Sequence, residues 1–148
     1  MIDIQPLSQQ DYDQWQPLWD ANNQGQGNPA VTEETWRRLL DSNSPVNGLG
    51  AFDQTGVMTG LLHYILHPVT GHIQPVCYMQ DVYIDPAHRR QGIARALVQK
   101  LAETGTHEKW ARIYWLAELD NQAAQNLYKD IGFKLGFSLH VLPLPVSS

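Results

Sequence analysis

The sequence predicts one mixed α/β domain over residues 1–148, a central and mostly antiparallel sheet of about six to seven strands flanked by about four helices. Three observations predict it. The apolar spacing alternates between a strand period and a helix period, in the order strand, two helices, three strands, helix, strand, helix, strand. Neighbouring strands joined by short turns imply antiparallel pairing early in the chain, whereas the later strand–helix–strand run implies a parallel crossover. Finally, 148 residues with 43% hydrophobic and 17% charged content suit a single core, and no repeat or linker divides the chain.

Each element has its own justification. Met1–Pro6 alternates Ile2 and Ile4 with polar residues, as a short strand does. Ser8 can cap a helix whose apolar stripe includes Tyr12, Trp15, Leu18 and Trp19. The glycine-rich stretch Asn22–Pro29 reads as a loop, after which Thr32 can cap a helix carrying Trp36, Leu39 and Leu40. Residues 47–53 and 57–66 read as strands joined at Asp53–Gly56, and 76–84 is the clearest strand. Gly92–Thr104 is helical with Ile93, Leu97 and Leu101 on one face. Arg112–Leu116 is an apolar strand, Asn121–Ile131 a helix stopped by Gly132, and 134–142 a last strand.

Charge excludes some functions and localises another. The net charge of −5 argues against a nucleic-acid binder, and the lone cysteine, Cys77, excludes an internal disulfide. No apolar run approaches a membrane span and no leader pattern opens the chain, so a cytoplasmic location is expected. Residues 1–53 hold eight acids against two bases, whereas 54–148 hold seven acids against eight bases. Arg89, Arg90, Arg95 and Lys100 lie within twelve residues. Composition alone reads that cluster as a solvated helix face; its setting points to an anion site.

That setting is a strand ending at Asp85-Pro86, a basic loop, and a helix opening at Gly92. First-turn amides of a helix lack intrahelical acceptors, and the dipole places positive charge there. Gly92 and Ala94 leave room for a phosphate to approach, so the segment is a candidate pyrophosphate cradle. Neither the dinucleotide-binding glycine fingerprint nor a P-loop occurs. Farther on, Asn121, Gln125 and Tyr128 share one helix stripe beside the apolar one of Ala124, Leu127 and Ile131, which puts Tyr128 at the border of core and solvent.

Together, Arg89-Arg90-Gln91-Gly92-Ile93-Ala94 and Asn121-x-x-Ala124-x-x-Leu127-Tyr128-x-x-x-Gly132-Phe133 resemble the two hallmarks of the Gcn5-related N-acetyltransferase superfamily. The stretches Cys77–Ile84 and Ile113-Tyr114-Trp115-Leu116, with Trp15 and Leu18-Trp19, look like the branch of yeast histone acetyltransferase relatives and polyamine or small-amine acetyltransferases. The resemblance implies acetyl-CoA as cosubstrate, with no metal and no covalent enzyme intermediate. It implies that backbone groups of Val82, Tyr83 and Ile84 bind the pantetheine arm and that the amides of Arg90 to Arg95 hold the pyrophosphate, beside Arg89. Asn121 would contact the cofactor, and Tyr128 would protonate the departing thiolate, a role that a phenol suits.

An amine acceptor arrives protonated, so a base is required. The polyamine branch tends to carry Glu-Asp where this chain has Gln80-Asp81, and Gln80 cannot serve; Asp81 is the first candidate and Glu118 the second. His63, His67, His72 and Cys77 have no metal-ligand spacing, and Cys77 reads as a core residue. Trp15, Trp19 and Trp36 stand at core spacing, with the alternative that one of them lines the acceptor cleft beside the first two helices. The acidic balance of residues 1–53 favours a cationic acceptor: a polyamine, small amine, amino acid or lysine side chain. The apolar stretch Leu135–Pro145 either covers a second subunit, as in a homodimer, or finishes the sheet. The rival reading is a catalytically idle acyl-CoA-binding or sensor domain, which would keep the cradle and lose the acid and base.

Overall fold

The structure, a computed structural model, describes residues 1–145; the last three residues of the expected domain lie outside it. The chain forms two compact units, Met1–Leu116 and Ala117–Ser148.

In the first unit, β1 (Asp3–Pro6), β2 (Val46–Phe52), β3 (Met58–His67) and β4 (Val76–Ile84) succeed one another across the sheet in antiparallel pairs. The fifth strand, β5 (Ile113–Trp115), joins β4 in parallel. It returns from α3 (Ile93–Glu108), so the expected crossover is present. Between β1 and β2 lie α1 (Tyr12–Asn22) and α2 (Pro29–Leu40). The caps explain where these helices start. Ser8 donates its backbone N–H to Asp11 at 2.8 Å, which fixes the turn entering α1. The expected cap of α2, Thr32, is not the one used: Asn28 accepts from the Ala30 amide at 2.9 Å, with Pro29 in the first turn where its missing N–H costs nothing. Thr32 Oγ1 instead accepts from Trp19 Nε1 at 3.1 Å, tying the two helices together.

The pleat sends neighbouring β3 residues to opposite faces. Leu61 packs with Trp15, Leu7, Leu39 and Met58, beneath α1 and α2. On the other side, a Cβ added at Gly60 would approach Ile93 Cγ2 to 3.2 Å, which marks the α3 face. There Ile93, Leu97, Val98 and Leu101 are buried, as the helical spacing requires. Each such aliphatic side chain contributes about 1.5–3 kcal/mol. α3 runs past Thr104 because Gly105 lets the Trp110 ring lie against it; the helix closes at Lys109 in the left-handed region.

Two irregularities in β4 matter for the site. His63 pairs with Asp81 and Tyr64 with Met79, so Gln80 is an extra residue, a β-bulge. Pairing with β5 covers only Cys77, Tyr78 and Met79. Beyond the bulge, among the described residues, no strand lies along that edge of β4.

The second unit holds α4 (Gln122–Ile131), and Asn121 Oδ1 caps it by accepting from the Ala124 amide at 3.1 Å. The helix ends at Gly132, which is extended rather than left-handed. The strand expected over 134–142 is absent, so among the described residues the sheet has five strands rather than six or seven. The reason is physical: alternation prepares a segment for pairing, but a strand exists only where a second edge supplies the ladder, and no strand pairs with these residues.

Candidate active site

Past the bulge, Val82, Tyr83 and Ile84 run as a half-buried strand with β3 on one side. Their other edge is a row of backbone donors and acceptors with no strand to receive them, the arrangement into which an extended ligand can add as a further strand. The chain then turns at Asp85, whose carboxylate accepts from the His88 ring (3.2 Å) and caps the short turn Pro86–His88.

Beyond that turn, α3 opens. Arg90 (φ +64) and Gly92 (φ +78) both lie in the left-handed region, although only the second is glycine. A non-glycine residue held there costs about 1–3 kcal/mol, and such strain gathers at ligand clamps. A Cβ at Gly92 would meet nothing within 4 Å, so the turn leaves open space at the start of a sixteen-residue helix. The amides of Ile93, Ala94 and Arg95 occupy the first turn, where the dipole is positive. Gln91 is exposed, and the Arg90 side chain is exposed beside it. Arg89 is already committed: its Nε donates to the Ile84 carbonyl at 3.1 Å and its guanidinium sits 5.5 Å from the Tyr83 ring centroid. It locks the strand end to the loop. The strand edge, the turn over Asp85–His88 that Arg89 ties back to the Ile84 carbonyl, the left-handed turn and the helix N-terminus follow one another along the chain, and their chemistry fits an extended amide-bearing arm ending in a pyrophosphate.

Asp81 stands at the bulge with its side chain one-fifth exposed. Its Oδ2 lies 3.0 Å from His63 Nδ1, and its Oδ1 accepts from Asn22 Nδ2 at 3.3 Å, from the last residue of α1. His63 is buried (3%), and its Nε2 accepts from Trp15 Nε1 at 3.0 Å. Trp15 is fully buried and stacks on Trp19 at 5.7 Å and 9°. The sequence offers His63 only as a discarded metal ligand, and Trp15 as a core residue or one of three tryptophans that could line the acceptor cleft, with nothing to link the two. The available signal was a histidine on an otherwise apolar strand, since a buried imidazole must find partners.

In the second unit, Glu118 lies in the exposed turn before α4, and its carbonyl accepts from Gln125 Nε2 at 2.8 Å. Asn121 is the helix cap described above. Tyr128 is half-buried, and that burial pushes its phenol above the ordinary value of 10.0. The residues from Asp81 to Arg95 are thus brought together within the first unit, while Glu118, Asn121 and Tyr128 are grouped in the second. Among the described residues, no group of three or more His, Cys, Asp or Glu could hold a metal ion, and no helix is long and apolar enough to cross a membrane.

A sheet of five strands among the described residues, whose fourth strand bulges and feeds a glycine-opened helix, is the fold shared with solved acetyltransferase structures. The chain belongs to the acetyltransferase (GNAT) family, whose profile matches residues 9–133, and it is an N-acetyltransferase. It is 28% identical over 137 residues to the D-amino-acid N-acetyltransferase HPA3 of Saccharomyces cerevisiae, covering 90% of this chain and 85% of that one. It is 36% identical over 74 residues to the thialysine N-epsilon-acetyltransferase of Mus musculus, covering 49% of this chain and 41% of that protein. Among solved structures, the aminoglycoside acetyltransferase AAC(6')-Iy in complex with a bisubstrate analog superposes with a TM-score of 0.84 at 17% identity, covering 99% of each chain. The ribosomal-protein-alanine N-acetyltransferase of Brucella melitensis gives a TM-score of 0.82 at 22% identity, covering 97% of this chain and all of the other.

Proposed function

We propose that the chain transfers an acetyl group from acetyl-CoA directly to the primary amine of a polyamine, small amine, amino acid or lysine side chain, with residues 1–148 acting as one domain. The observation that carries this reading is the succession along the chain of the free β4 edge and the left-handed turn at Gly92. Val82, Tyr83 and Ile84 present backbone groups to the pantetheine amides, and the amides of Arg90 to Arg95 receive the pyrophosphate, beside Arg89. Acetyl-CoA supplies the acetyl thioester. The acceptor class comes from the acidic balance of residues 1–53 and from the amines named for relatives, D-amino acids and thialysine.

The chain's own residues then manage two protons. Asp81 accepts the proton that the amine must lose, directly or through one water, and its solvent-facing fifth makes it reachable. As the amine nitrogen bonds to the acyl carbon and the carbon–sulfur bond breaks, Tyr128 donates its phenolic proton to the departing sulfur, and the second proton that the acylated nitrogen sheds passes through solvent to restore the phenol. A phenol held above its ordinary pKa keeps that proton at neutral pH. Glu118 stands as the second candidate base, and Asn121 supports the cofactor from the start of α4.

The test is release of free coenzyme A thiol from acetyl-CoA, with and without pools of polyamines, D- and L-amino acids, aminoglycosides and lysine peptides. Amine-dependent release supports the transferase, and splitting the pool names the acceptor. Binding of acetyl-CoA without release under every pool supports an idle acyl-CoA-binding domain instead. Absence of binding refutes the cradle.

A further inference from the structure

The candidate base is attached to a buried chain that runs inward from it: Asp81, His63, Trp15. We infer that His63 is a positioning residue, held by Trp15 in the one neutral tautomer that can donate a hydrogen bond to Asp81. The inference rests on the reading of Asp81 as the proton acceptor. The inner end of the chain sets the tautomer, because an indole N–H can only donate. With Trp15 Nε1 3.0 Å from His63 Nε2, that nitrogen must be the bare one. In a neutral imidazole the proton is therefore on Nδ1, which faces Asp81 Oδ2 at 3.0 Å and donates to it.

The order of groups differs from a catalytic triad in one respect. In a triad the imidazole passes the proton and the carboxylate orients it. Here the imidazole's second nitrogen is occupied by a donor, so it cannot take a proton without setting two N–H groups against each other. The carboxylate faces solvent and the imidazole orients it. Asn22 Nδ2 holds the other oxygen, so each Asp81 oxygen accepts one bond and keeps a lone pair for the amine or a water. Burial supports the same division: Trp15 is fully buried and His63 is 3% exposed, whereas the Asp81 side chain is 20% exposed. The bulge at Gln80 makes this alignment, since it sets Asp81 opposite His63 in the ladder. A carboxylate at a bulge on an open strand edge is otherwise free to rotate, and a misplaced base loses rate while substrate binding stays intact.

Two readouts test this on the full chain. Long-range proton–nitrogen correlation of 15N-histidine-labelled protein reads the tautomer directly, with His63→Asn assigning the signal among the six histidines. His63 protonated at Nδ1 and bare at Nε2 is expected, with the restriction relaxed in Trp15→Phe; a proton on Nε2 overturns the inference whatever the kinetics show. The second readout is the split of kcat from KM with the acceptor found in the thiol-release assay. His63→Leu lowers kcat by about 10- to 100-fold with the acetyl-CoA KM nearly unchanged. His63→Asn, whose Nδ2 stands where Nδ1 stood, recovers most of the loss. His63→Leu added to Asp81→Asn costs nothing further, because the two act as one unit. Failure of the base reading looks different: Asp81→Asn then keeps wild-type kcat. Failure of the inference alone is Asp81→Asn inactive beside a folded His63→Leu of full kcat, or His63→Asn no better than His63→Leu.

Discussion

Gly92→Ala questions the donor cradle most directly, because the structure separates its two effects. Gly92 opens α3 at φ +78 and ψ +14, and the added methyl would meet no atom within 4 Å. Packing therefore sets no cost. The left-handed backbone does, at about 1–2 kcal/mol for a residue that carries a Cβ. At about 2–4 °C per kcal/mol for a chain of this size, the ligand-free Tm falls by about 2–8 °C. The same methyl occupies space that a phosphate needs to bring its oxygens within about 2.9 Å of the first-turn amides. Losing one such bond to a charged group costs about 1.5–3 kcal/mol, which weakens acetyl-CoA binding by about 10- to 100-fold. Gly92→Asn is the companion variant. Asparagine tolerates the left-handed region, so its Tm falls less, yet its larger side chain obstructs at least as much. Thermal unfolding without ligand and calorimetric titration with acetyl-CoA, well below either Tm, give the two numbers. If both variants bind acetyl-CoA within about twofold of wild type, a difference of about 0.4 kcal/mol, the pyrophosphate is not held at this turn and the cradle is refuted.

Other outcomes rest on single features. Tyr128→Phe lowers kcat by about 100- to 1,000-fold with acetyl-CoA affinity kept; unchanged turnover removes Tyr128 from the mechanism. Because burial raises this phenol above 10.0, it holds its proton to higher pH than a free tyrosine, and wild-type kcat shows no loss from its ionisation below about pH 9. Cys77 is fully buried, with its thiol pushed up to about 12. At pH 8 only about one thiol in ten thousand is ionised, so a disulfide reagent labels the native chain negligibly and labels one thiol per chain in guanidinium. Labelling before unfolding would contradict the packing around β4. Gly105→Ala would gain about 1 kcal/mol of helix propensity, but its Cβ would stand 2.6 Å from Trp110 Cε3. Overpacking of about 1–3 kcal/mol outweighs that gain, so Tm falls, and a combined Trp110→Leu change restores part of it.

What the sequence revealed and withheld divides along one physical line. Local signals were read correctly: the strand over 76–84 coincides with β4, and glycine at position 92 marked the opening of α3. The cap of α2 was misplaced because Thr32 and Asn28 are both capable, and Pro29 in the first turn decides between them. The strand over 134–142 was misread because alternation records readiness to pair and not the presence of an edge. The network behind Asp81 was illegible for a similar reason. Its partners come from α1 and β3, at positions 15, 22 and 63, and only the bulge brings them into line. A bulge is one unpaired residue, and nothing in Gln80 itself announces it.

The bond between Trp15 and His63 has an optical consequence. The Trp15 indole donates to the imidazole that in turn donates to Asp81, so the ring sits at the inner end of that network and its surroundings change whenever the network rearranges. Trp15 thus works as a built-in lamp wired to the carboxylate two hydrogen bonds away. With the other four tryptophans, Trp19, Trp36, Trp110 and Trp115, changed to Phe, the emission tracks the carboxylate's surroundings as an acceptor docks, with no dye attached and no turnover required.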